Sequence, residues 1–170
     1  IGLLHIALAK LAGATTILAA GREGRLAAAT DFGATCAVAL TGEALTAEVR
    51  ERTNGRGADV VIVAVGDLSL ANQALELAAI GGRVNYFAGF PKGRTASIDP
   101  NLIHYRELAV TGGSNARRAD VRRAVELLSS GALDVGRLVT HRFPLAELDA
   151  AVTAVARRDG LKVAVMPAAG

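Results

Sequence analysis

One run of residues limits the fold of this chain more than any other: Val60, Val61, Ile62, Val63, Ala64 and Val65 follow Asp59 with no polar interruption. A strand with one wet face alternates apolar and polar residues, whereas a run apolar at every position suits a strand covered on both faces, as in the middle of a parallel sheet. The turn signals Asn54-Gly55 and Gly57 precede it.

The segments on either side keep the same rhythm. Ile1 to Ala12 reads as a helix apolar on most of its circumference, stopped by Gly13, and Thr15 to Ala20 as a short strand. A polar helical stretch from Arg22 to Phe32, a strand from Thr35 to Leu40 and a helix from Ala44 to Thr53 follow. After the central run come a helix from Ser69 to Ile80, a break at Gly81-Gly82, a strand from Arg83 to Ala88, a helical turn from Asn101 to Arg106 and a strand from Glu107 to Gly112. Strands separated by crossover helices at this spacing predict an α/β fold, a Rossmann-like doubly wound parallel sheet with helices on both faces. Beyond Gly113 the pattern changes to a helix from Ala119 to Ser130, an extended Leu138 to Phe143, a helix from Leu145 to Arg157 and a strand from Lys162 to Met166. The expected division is therefore residues 1–112, the α/β sheet domain, and 113–170, a C-terminal segment.

Composition narrows the partners. The formal charge of +3 comes largely from arginines spread along the chain without interleaved aromatics, which argues against nucleic acid. Cys36 is the single cysteine, so neither an internal disulfide nor a Cys-x-x-Cys zinc pattern is available, and a reducing cytoplasm is the simplest location. His5 and Lys10 interrupt the apolar start and Gly13 breaks it, so neither a signal peptide nor a membrane span is expected. His5, His104 and His141 have no Cys, Asp or Glu spaced to complete a metal site, and no hydrolase constellation is present.

Three features point to a cofactor. Gly2 opens the first helix as the last glycine of a GxGxxG fingerprint would, although a lone glycine there also suits ordinary helix packing. At the end of the next strand, where NAD-binding folds place an acid, the chain has Ala20, Gly21 and Arg22, with Arg25 one turn on. A carboxylate would repel a 2'-phosphate and an arginine binds one, which favours NADP over NAD; the alternative is a pair of solvated helix residues. Finally, the strand ends Ala64-Val65-Gly66 and Ala88-Gly89-Phe90 carry glycines that would let a flat ring approach the backbone, or that merely turn the chain.

Taken together, these segments resemble one family. Ile1-Gly2-Leu3-Leu4 opening an Ala-rich helix, Phe32-Gly33-Ala34, Asn54-Gly55-Arg56-Gly57-Ala58-Asp59, Gly81-Gly82-Arg83-Val84, and Asn101-Leu102-Ile103-His104-Tyr105-Arg106-Glu107-Leu108 leading to Thr111-Gly112 look like the medium-chain zinc-dependent dehydrogenases, particularly their sorbitol and threonine dehydrogenase-like branch. The likeness extends over essentially the whole chain.

The resemblance implies a hydride transfer between NADP, with NAD possible, and a secondary alcohol, polyol or ketone. It places Gly2, Gly21, Arg22 and Arg25 toward the phosphates and adenosine, Ala64, Val65, Gly66, Ala88, Gly89, Phe90 and Thr111 along the nicotinamide, and Lys162 near the pyrophosphate. Relatives bind their zinc in a preceding catalytic domain, so zinc and catalytic residues are expected outside this chain, as is the first, central strand of the order 3-2-1-4-5-6. A homodimer or homotetramer is implied, with no membrane or nucleic-acid partner. A zinc-independent quinone or enoyl reductase and a non-catalytic nucleotide-binding module are the alternatives.

Overall fold

A computed structural model describes residues 1–167. The chain forms two units, Ile1–Arg117 and the residues from Arg118 onward, and each is considered by itself.

In the first unit the core lies where the central run was expected. Strand β3 (Ala58–Val63) pairs in parallel with β4 (Ala78–Tyr86), and β4 with β5 (Ala109–Gly112). Helix α4 (Leu70–Leu77) lies across them with α5 (Pro100–Tyr105), and Val63, Ala74, Leu75, Ala78, Val84 and Leu108 close a dry interior between them. Small and branched side chains suit a helix set close on a parallel sheet. Helix α3 (Gly42–Arg52) joins α4 through buried Gln73, whose amide donates to the Gly42 carbonyl at 2.6 Å.

Helix α1 (Gly2–Leu11) leads to β1 (Leu18–Ala20), a short α2 (Glu23–Leu26) and β2 (Cys36–Val38), which pairs in parallel with β1. Thr35 joins the two strands at their base, its Oγ1 accepting from the Ile17 amide at 2.9 Å and donating to the Ile17 carbonyl at 3.1 Å. Among the described residues, β1-β2 and β3-β4-β5 are separate hydrogen-bonded sheets. In the order 3-2-1-4-5-6, the position of the first strand lies between two such groups of strands.

Four expectations for this first unit are corrected. Helix α1 is covered on one side only, with Ile6 buried and Leu8 and Leu11 open. The outer face of β3 is open as well, Val60 being 57 % and Ile62 39 % exposed, so continuous apolarity marked a strand with just one face covered within this unit. Gly81-Gly82 does not end a helix before a new strand; it is a register shift inside β4, with Gly81 at φ +72° and its amide donating to the Arg106 carbonyl at 2.8 Å. Glycine in a strand commonly marks such a bulge. The helix expected from Arg22 to Phe32 shrinks to four residues because turns take over after Leu26, bringing Ala29, Phe32 and Ala34 into the interior.

The second unit contains α6 (Arg118–Ser129), β6 (Val139–Pro144), α7 (Leu148–Arg157) and β7 (Lys162–Met166). Strands β6 and β7 are parallel, α7 crosses between them, and Ala151 and Ala154 are its buried contacts. A 3-10 turn at Leu145–Glu147 precedes α7, so the helix expected from Leu145 starts later.

Candidate cofactor-binding rim

The expected site residues of the first unit lie at or just beyond the carboxyl ends of its parallel strands, or at the start of α1. At the end of β1, the Gly21 amide donates to the Val38 carbonyl at 3.2 Å, which continues the ladder by one residue. Arg22 then caps α2 in an extended conformation and Arg25 follows a turn later. Both are exposed, and neither forms an ion pair among the described residues. Two guanidinium groups are thus available to a dianion at this rim.

At the ends of β3 and β4 the two loops touch. Ala64 is half-buried and Val65 exposed, and the Ala88 amide donates to the Val63 carbonyl at 3.0 Å. Beyond that bond Gly66 and Gly89 meet backbone to backbone, so closely that a Cβ on Gly66 would collide with the Gly89 carbonyl oxygen and lie 3.5 Å from the Phe90 Cα. Phe90 meets Tyr86 edge to face, with ring centres 5.7 Å apart, and the Tyr86 hydroxyl donates to the Ala71 carbonyl in α4. Burial pushes that phenol up from its ordinary pKa, which keeps it a donor.

Next to Gly66, Asp67 accepts from the Ser69 hydroxyl at 2.8 Å and the Ser69 amide at 3.0 Å. Those two bonds, the hydroxyl's first, hold its carboxyl below the usual carboxylate range and fix the turn into α4. Thr111 stands beside Asn85 in the β4–β5 register. Its hydroxyl accepts from the Asn85 amide at 3.0 Å and donates to the Val84 carbonyl at 3.4 Å.

Gly2 is exposed and open space surrounds it, so no neighbour among the described residues requires a glycine there. The first turn of α1 closes with Leu4 and His5 amides donating to the Ile1 carbonyl at 2.9 and 3.2 Å, which leaves the preceding amides at the helix start without helical partners. Lys162 belongs to the second unit, where it opens β7 with its side chain exposed and its carbonyl accepting from Thr140 at 3.4 Å. The contact of Gly66 with Gly89 is the place where predicted residues from different segments come together.

Sequence reasoning missed two long-range contacts of this unit. Phe87 meets the ring of His5 edge to face, at 4.4 Å and 79°. Arg106 donates from Nη1 to the Leu75, Glu76 and Ala78 carbonyls at 3.4, 3.0 and 3.2 Å. Both contacts join residues far apart in the chain and have no periodic signature, although Arg106 stood inside a quoted motif. Among the described residues no three His, Cys, Asp or Glu side chains gather to hold a metal, so a zinc ion does not fit here. No helix among them is long and apolar enough to cross a membrane.

Parallel strands with crossover helices and glycine loops at their carboxyl ends define a Rossmann-type dinucleotide-binding fold. Residues 1–130 match the model of the zinc-binding dehydrogenase family, to which the chain belongs. It is 36% identical over 152 residues to an L-threonine 3-dehydrogenase of Bacillus subtilis (strain 168), covering 88% of this chain and 43% of the relative. An alcohol dehydrogenase of Cupriavidus necator is 33% identical over 174 residues, covering 98% of this chain and 47% of the relative. Among solved structures, a candidate zinc-binding dehydrogenase from Sinorhizobium meliloti 1021, bound to NADP, matches with a TM-score of 0.85 and 32% identity over 98% of this chain and 49% of that one. The chain thus spans about half the length of the curated relatives it matches.

Proposed function

We propose that this chain is the nicotinamide-dinucleotide-binding part of an oxidoreductase that moves hydride between NADP(H) and a secondary alcohol, polyol or ketone. The observation that carries this reading is the backbone contact of Gly66 with Gly89, which sets the loops after β3 and β4 side by side beyond the carboxyl ends of those strands. The bound cofactor supplies the hydride acceptor or donor. The residues here bind and orient it: the free amides of the first turn of α1 at Gly2 meet the pyrophosphate, and Gly21, Arg22 and Arg25 receive the adenosine 2'-phosphate. Ala64, Val65 and Gly66 with Ala88, Gly89 and Phe90 form the bed for the nicotinamide. Thr111 acts from β5 at the side of that bed.

The NADP-bound relative, with a TM-score of 0.85, supports the choice of cofactor. In this reading, residues 1–112 are the cofactor domain, and residues 113–170 return toward a catalytic domain that holds substrate and zinc. A further parallel strand fills the break between β1 and β3. The protein works in the cytoplasm as a homodimer or homotetramer, with β5, which among the described residues pairs only with β4, as the edge available for association.

Cofactor choice is tested by titrating the intact protein with NADPH and NADH. Arg22→Ala is expected to raise the Kd for NADPH about tenfold, the loss of one charge-assisted hydrogen-bonding group, and to leave NADH nearly unchanged. Equal losses for the two cofactors would remove the assignment.

A further inference from the structure

We infer that His5 is a positioning residue whose imidazole, set against Phe87, anchors the loop after β4 to the first helix. This rests on the dinucleotide reading above and adds a residue that no part of that reading uses.

His5 lies in α1 just past its first turn, and Phe87 immediately follows the last residue of β4. The rings meet edge to face, with centres 4.4 Å apart and planes at 79°. The His5 Nδ1 is buried and has no hydrogen-bond partner among the described residues. Leaving a buried polar atom unpaired is unfavourable, and a leucine would fill similar space without that atom. Burial pushes the imidazole below its ordinary pKa, opposed in part by a hydrogen bond with the Ile1 backbone. What imidazole offers the Phe87 phenyl, and leucine lacks, is a flat, polarised ring to meet at nearly a right angle.

That contact has a defined target. Phe87 leads into Ala88, tied to β3 by its bond to the Val63 carbonyl at 3.0 Å, and then into Gly89, whose carbonyl lies against Gly66. The loop is therefore held on one side by β3 and on the other by α1 through His5. In the proposed function α1 receives the pyrophosphate and Ala88 to Phe90 receive the nicotinamide. His5 and Phe87 join those two elements directly, so they set where the ring lies relative to the phosphates.

The test compares NADPH with ADP-ribose 2'-phosphate, which has the same phosphates and no nicotinamide, by calorimetric titration of the intact protein. His5→Leu is expected to raise the Kd for NADPH about fivefold, the usual size of an aromatic pair, with ADP-ribose 2'-phosphate unaffected and Tm unchanged or higher. Phe87→Leu should behave alike, the double variant should lose no more than either single one, and His5→Phe should restore NADPH binding. Equal weakening of both ligands, a lowered Tm with no ligand selectivity, or additive losses in the double variant would overturn the inference. A wild-type protein that binds neither ligand would instead sink the proposed function, whereas one that binds both and is untouched by His5→Leu would sink the role of His5 alone.

Discussion

Gly66→Ala is expected to lower turnover and NADPH affinity of the intact protein about a hundredfold, the usual result of shifting a positioning element by an ångström. The added Cβ would fall on the Gly89 carbonyl oxygen, 3.2 Å from its carbon, and these are backbone atoms that cannot swing aside as the end of a side chain can. Relief requires one of the two loops to retreat, which separates the strand ends on which the ring is proposed to lie. Overpacking of this kind also costs stability, about 2 kcal/mol, read from urea unfolding. Gly89→Ala is the informative companion, because open space surrounds that position and the fold should accept the methyl group. Lost NADPH binding with unchanged stability at Gly89 would report a ligand lying directly over it. Wild-type binding by Gly66→Ala would end the case for a shared bed.

Arg106→Met should give the largest loss of stability at a position away from the rim. Helix α4 passes straight into β4 at Ala78, whose ψ is 144°, with no glycine to close the helix end. Its last carbonyls are instead met by the Arg106 guanidinium, which reaches Leu75, Glu76 and Ala78. Methionine keeps much of the side chain's length but strands those acceptors in a half-buried setting. A loss of about 3 kcal/mol is expected, near 10 °C in Tm, with Arg106→Lys intermediate because an ammonium group has no fork. A change below about 0.5 kcal/mol would mean that water satisfies the carbonyls equally well. Dinucleotide affinity measured well below the Tm should change little, which separates this support from the rim.

Most of the chain's local structure was visible before any contact was known. The strand at Lys162–Met166 falls where it was expected, and the ends of α1, α3, β3 and α6 lie within a few residues of expectation. The errors share a cause. Gly81-Gly82 was taken as punctuation because a glycine pair has the same appearance in a turn and in a bulge; pairing with β3 made it a bulge. Likewise, Val60 and Ile62 have the composition of residues covered on both sides, yet apolarity reports what a side chain tolerates and not what lies over it.

The candidate site divides along the same line. Which residues stand at strand ends followed from hydrophobic periodicity, since a strand's length and direction are written locally, and so Gly21, Arg22, Gly66 and Gly89 were found. That Gly66 and Gly89 touch, that His5 meets Phe87 and that Arg106 closes a helix begun far upstream depended on chain crossings bringing distant segments within van der Waals and hydrogen-bonding range. Local order is encoded by neighbours along the chain, whereas a contact is decided by the packing of all the elements at once.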